Sequence, residues 1–284
     1  MIRKILAPVR GDGKGDNVVA HAAALAHRNK SHVVITHCRV RPEDFVPQGV
    51  AVSTIFRKQL MEQAKTLADV EEAALIKELN ALAAKLDLSL EEKDIGTRAT
   101  AAWVEEIGKQ VDVIKRHGRL ADVIAVAQPD LDRNLGSNTL KAALFRTGRP
   151  VMMVPNGKPP PTSLGSHVSI AWNGSLESSR AVTMTLSLLR AADKVTILST
   201  GGEPVSATAA DLVSYLEFQG IRAEIKAIKG TGNVGATLLS ASAEAGANIL
   251  VMGAYGNSHE REIVFGGNTQ HVVDKATMPV VFVH

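Results

Sequence analysis

Ala247-Asn-Ile-Leu-Val-Met-Gly253-Ala-Tyr-Gly256 is an apolar run of strand length that ends on glycines. After nine intervening residues, Gly266-Gly267-Asn268-Thr269 opens a stretch with helical spacing. Glycines at a strand's carboxyl end let backbone approach a ligand closely and tolerate positive φ. A helix starting at Gly266 would direct unpaired N–H groups and a positive dipole end to the same place. The two pieces together describe a cradle for an anion or a phosphate.

The same pattern occurs earlier in the chain in a broken form. Ala121-Asp-Val-Ile-Ala-Val-Ala127 matches Ala247–Gly253, and Gly136-Ser-Asn-Thr139 matches Gly266–Thr269. Three further pairs keep the same order: Ile5–Gly11 with Val168–Gly174, Val33–His37 with Val195–Ser199, and Arg149–Val154 with Met278–Val283. Such ordered self-similarity is the mark of a tandem duplication. Between the copies, Pro155-Asn-Gly-Lys-Pro-Pro-Pro-Thr-Ser-Leu-Gly165 excludes helix and strand and reads as a semi-rigid linker. The expected organisation is therefore a domain over 1–156, a linker over 157–165 and a second domain over 166–284.

Strands alternate with helices in each copy, which predicts α/β doubly wound domains built on parallel sheets. In the second copy, strands are expected at about 167–172, 194–199, 221–228, 247–253 and 279–283. Helices are expected at about 176–190, 206–219, 232–245 and 266–276. The first copy has a longer second helix, in which Phe56, Leu60, Ala64, Leu67, Leu75, Leu79, Leu82 and Leu86 form a stripe expected to pack on the core.

Composition narrows the function classes. Of 284 residues, 45% are hydrophobic, 21% charged and only 4% aromatic, a balance suited to helix-covered parallel sheets. The net charge of +3 is spread without a basic run, so nucleic acid is not an expected partner. Nor is a membrane, because no apolar run is long enough to span one. Met1–Pro8 reads as a short strand and lacks the apolar stretch of a signal peptide. Cys38, the one cysteine, is expected to be a buried, inert thiol. These readings suit a soluble, cytoplasmic protein. The nine histidines show no metal-ligand spacing, and no G-x-S-x-G, complete P-loop, H-E-x-x-H or G-x-G-x-x-G pattern is present.

A duplicated unit closing with strand-Gly-x-x-Gly-x9-Gly, a helix and Met-Pro-Val-Val resembles the universal stress proteins, in particular their tandem-domain bacterial members. The resemblance spans essentially the whole chain and rests most on Gly253, Gly256 and Gly266. It implies five-stranded parallel sheets of strand order 3-2-1-4-5, and adenine-nucleotide binding where the glycine motif survives. It also implies a pseudo-twofold contact between the two copies through their last strands, Val151–Val154 and Val280–Val283; a further homodimer is compatible with it. The family's acidic residue at the end of the first strand is here Asn173 in the second copy and Arg10 in the first. The hydroxyl expected after the last glycine is replaced by Gly267, which leaves Asn268 and Thr269 as the nearest polar side chains. Capping of the helix is the alternative role for these two. In the first copy Ala127-Gln-Pro-Asp130 replaces Gly-x-x-Gly, bringing a carboxylate and a proline without N–H. Its site is read as degenerate.

The candidate nucleotide site thus comprises Ala171, Trp172, Asn173, Ser199, Gly253, Tyr255, Gly256, Gly266, Gly267, Asn268 and Thr269. Thr200 lies beside Ser199 where a base would lie. His259 and Arg261, next to Glu260 and Glu262, read as a solvated face. The expected ligand is ATP, ADP or AMP, with or without magnesium, bound in a stress-response protein that is non-catalytic or weakly hydrolytic. Two other classes stay open: a nucleotide-independent interaction or regulatory protein, and a nucleotide-dependent transfer enzyme using Glu260 or Glu262.

Overall fold

The computed structural model describes residues 1–9, 15–39, 53–130, 133, 135–199, 207–229, 232–254 and 267–284. The first copy runs β1 (Lys4–Val9), α1 (Gly15–Asn29), β2 (His32–Arg39), α2 (Thr54–Lys85), β3 (Thr100–Ile107), α3 (Gln110–Gly118), β4 (Val123–Ala127), α4 (Ser137–Thr147) and β5 (Val151–Val154). The second runs β6 (His167–Trp172), α5 (Leu176–Ala191), β7 (Lys194–Ser199), α6 (Ala209–Phe218), β8 (Glu224–Ala227), α7 (Val234–Glu244), β9 (Ile249–Gly253), α8 (Gly267–Lys275) and β10 (Val280–Val283).

Local chemistry sets several of these boundaries. Ser175 caps α5 by accepting from the Ser178 N–H at 3.2 Å. Thr208 and Asp211 close a capping box on α6. Asn233 caps α7 through the Ala236 N–H. The strands β5 and β10 are buried along their whole length, as strands covered on both faces must be.

Each copy forms a sheet of order 3-2-1-4-5, but the two are not separate. A single ten-stranded sheet runs β3-β2-β1-β4-β5-β10-β9-β6-β7-β8. Every neighbouring pair is parallel except β5 and β10, which meet antiparallel with Val281 opposite Met152. That one antiparallel seam is what a twofold relation between the copies requires. The core is continuous across it. Leu25 of α1, Leu188 of α5 and Leu164, which precedes β6, share one apolar layer, and Leu144, Val272 and Phe282 share the other. Arg28 adds a polar bridge, donating to the Ala191 carbonyl at 2.7 Å and pairing with Asp193 at 2.8 Å.

Three expectations change, while segment 155–165 holds neither helix nor strand, as expected, and its end is tied down. Leu164 is buried, the Gly165 N–H donates to Asn248 Oδ1 at 2.9 Å, and Asn248 Nδ2 donates to the Ser163 carbonyl at 2.7 Å. The α2 stripe is only partly core. Leu79 is buried and Leu75 and Leu82 are half-buried, whereas Phe56 is 54% exposed. The side chains of Ala64 and Leu67 lie outside the described residues. A helix of 32 residues extends about 48 Å, far beyond the strands beneath it, so among the described residues no strand lies beneath its first turns. The strand expected over 221–228 is shorter, Glu224–Ala227, and is largely exposed because it is a sheet edge, with Glu224 and Lys226 bringing charge to it. Cys38 is half-buried rather than buried. Its thiol donates to the Gly108 carbonyl at 2.8 Å, and burial, with Glu106 and Asp112 near by, pushes its pKa up. Among the described residues no helix is long and apolar enough to cross a membrane.

Candidate functional site

Strand order reverses between β6 and β9, because the chain leaves β6 towards β7 on one side and β9 towards β10 on the other. Ligands of open α/β sheets bind in the crevice at such a point, beyond the strands' carboxyl ends. A cavity of ≈ 250 Å³ lies there. Its strand wall is Ala171, Trp172 and Asn173 from the end of β6, Leu198 from β7, and Met252 and Gly253 from β9. The start of α5 contributes Ser175, Glu177 and Ser178. Ile228 precedes α7, which adds Val234 and Leu238, and Asn268 and Thr269 come from the first turn of α8. One side is therefore aliphatic and the other polar, with the N-terminal ends of helices turned towards it.

The residues expected at the site divide into four groups. Ala171, Trp172, Asn173, Gly253, Asn268 and Thr269 line the cavity. Gly267 is the exposed first residue of α8, immediately beside them. Ser199 is buried at the end of β7 opposite Trp172 and is not part of the wall; Leu198, one residue earlier, takes that place because side chains alternate along a strand. Tyr255, Gly256 and Gly266 lie outside the described residues, as do Arg10, Thr200, His259, Glu260, Arg261 and Glu262.

Several of these residues have structural roles of their own. Gly253 has no positive φ. A Cβ there would lie 2.5 Å from the backbone carbon of Glu177, so its lack of a side chain serves the packing of α5 on β9. Gly267 is different: among the described residues nothing lies within 4 Å of where its Cβ would stand. At the end of β6, Asn173 Oδ1 accepts from the Ser175 N–H at 3.2 Å, a local turn beside Gly174 at φ 76°. Asn268 and Thr269 lie inside the first turn of α8, past the position that a capping residue takes.

Sequence reasoning missed Glu177, the one carboxylate among the described lining residues, and the part played by α7. Glu177 follows the first strand of the copy by only one helical turn, which was the available signal. On α7, Gly235 lets α8 come close, since a Cβ there would lie 2.6 Å from the Asn268 carbonyl oxygen. Asn233 Nδ2 and His271 Nδ1 are 2.9 Å apart and tie the two helices together. Among the described residues no group of three His, Cys, Asp or Glu could hold a metal ion.

In the first copy the equivalent place is built differently. The backbone beyond β4 folds over the start of α4: Asp130 and Leu135 exchange N–H···O bonds of 2.8 and 3.0 Å. Gly136, at φ 90°, sits so close that a Cβ would be 3.1 Å from Pro129 Cα. The broken loop thus lies against its own helix start.

The sheet and its switch-point cavity define a doubly wound α/β protein with an open-sheet ligand crevice. The model of the Universal stress protein family matches residues 166–284, the second copy. Over its whole length the chain shares the fold of tandem universal stress proteins. A universal stress protein from Archaeoglobus fulgidus DSM 4304 is 16% identical, with 99% of this chain and 97% of that one covered at a TM-score of 0.68. A protein from Pseudomonas aeruginosa UCBPP-PA14, provisionally assigned as a universal stress protein, is 15% identical, with 99% and 93% covered at a TM-score of 0.59. No curated protein matches the chain.

Proposed function

We propose that the chain is a two-domain stress-response protein, with domains over 1–156 and 166–284 joined by 157–165, that binds an adenine nucleotide in its second domain. The observation that carries this reading is the cavity at the β6/β9 reversal, with the first turn of α8 on its polar side. Leu198, Ile228, Val234, Leu238 and Met252 would accept the flat face of a base. The unpaired N–H groups at the start of α8 would take the phosphates, and Gly267 leaves them open to approach. Residues and ligand therefore fit in character. A bound nucleotide would supply a polyanionic tail, and the chain's own part is to hold it; no general base is assigned, so catalysis is at most weak hydrolysis. Glu177 is the one carboxylate among the described lining residues that could meet a magnesium ion accompanying the nucleotide.

Gly267→Asp tests the reading without disturbing the fold. The new side chain meets nothing among the described residues, and an acid in a helix's first turn favours the helix dipole. Titration of labelled ATP is expected to show saturable binding to the wild type and at least about ten-fold weaker binding to the variant, with adenosine little affected. Absence of saturable binding to the wild type would end the nucleotide reading.

One observation favours a second reading, an interaction protein that needs no nucleotide. Glu177 brings negative charge to the cavity, and the Asn173 side-chain carbonyl is already engaged by its own turn. Mass spectrometry of small molecules released from protein purified without added nucleotide separates the two. Recovery of AMP, ADP or ATP supports the first, and recovery of a different ligand supports the second.

A further inference from the structure

The first copy's broken loop contains a buried amide. Gln128, 6% exposed, follows β4 where the intact motif has Ala254. The two positions are equivalent in the sheet: the Gln128 N–H donates to the Val154 carbonyl and the Ala254 N–H to the Val283 carbonyl, both at 2.8 Å. Their side chains are not equivalent. Gln128 Nε2 crosses the β5/β10 seam and donates to the Val273 carbonyl at 2.7 Å and the Ala276 carbonyl at 3.3 Å. Its Oε1 accepts from the Asn156 N–H at 3.0 Å, which fixes the amide's orientation.

Val273 and Ala276 stand at the carboxyl end of α8, where helix carbonyls lack partners of their own. The opposite end of this nine-residue helix, about 13 Å away, carries Gly267, Asn268 and Thr269. A short helix moves as a rigid rod, so a clamp at one end sets the position of the other. The clamp runs one way only, since Ala254 has no group with which to return it to α4.

We propose that Gln128 is a positioning residue: the copy with the broken loop holds the far end of α8 and thereby sets the helix start at the candidate site of the other copy. The ligand-binding consequence rests on the nucleotide reading above; the mechanical coupling does not. Gln128→Met keeps length and bulk while removing both donors. Hydrogen exchange at the amides of 271–273, the first in α8 to bond back to its opening turn, is expected to quicken about ten-fold in the ligand-free protein, the effect of leaving buried carbonyls unpaired. ATP affinity is expected to fall about ten-fold, while adenosine, which lacks the phosphates facing α8, changes less than about two-fold. Arg28→Ala, which breaks a different bridge between the copies, should change neither measurement.

Unchanged exchange at 271–273 in Gln128→Met would overturn the proposal, as would an equal loss for ATP and adenosine, or the same response from Arg28→Ala. If the wild type binds neither ligand, the nucleotide reading fails alone and exchange decides the clamp. Should Gln128→Met not fold, Gln128→Asn, one methylene too short to reach α8, carries the same expectations.

Discussion

Gly253 and Gly267 lack a side chain for different reasons, although the sequence presents both as parts of one motif. At Gly253 the space is taken by the first turn of α5, so Gly253→Ala must push that turn away. Overpacking of this kind costs about 1–3 kcal/mol, and the urea midpoint should fall accordingly. An unchanged midpoint would mean that α5 does not approach β9 as described. Asn173 makes the complementary point. Its place at the end of β6 was legible, but its engagement with the Ser175 N–H was not, because an Asn-Gly pair is compatible with a ligand contact and with a local turn alike.

Among elements, α2 shows where periodicity stops being informative. The apolar stripe predicts which face of the helix is sticky, but not how much of its length has a sheet beneath it. Leu79→Ala should therefore cost about 2–5 kcal/mol, whereas Phe56→Ala, at an exposed position, should stay within about 0.5 kcal/mol. Equal losses in thermal unfolding would contradict the described placement of α2. The second copy follows its sequence pattern more closely, since its strands and helices are short, bounded by turn residues and capped locally. The exception is β8, where an edge strand buries too little to extend the pairing.

For the whole molecule, the titration of buried histidines sets a direction for acid sensitivity. His21, His32 and His167 all have pKa values lowered from 6.5, each chiefly by burial. His21 is fully buried, its Nδ1 donating to the Asn17 carbonyl at 2.8 Å and its Nε2 without a partner among the described residues. The unfolded chain binds protons more readily at these positions, so stability rises with pH across the interval. It should be fully present above about pH 6.5 and decline as pH falls below that value. Urea unfolding from pH 8 to pH 5 should show this, and His21→Gln should show a shallower decline. A midpoint that rises on acidification would overturn the assignment.

By itself the sequence determined the duplication, the alternation of strands and helices, and the glycine-ended strand before a helix. Those are local properties, carried by spacing, turn chemistry and the period of apolar residues. Tertiary structure alone decided that Glu177 faces the cavity while Ser199 does not, and that Gln128 reaches α8. Each of these depends on which residues meet across long separations in the chain, and nothing in local spacing encodes that.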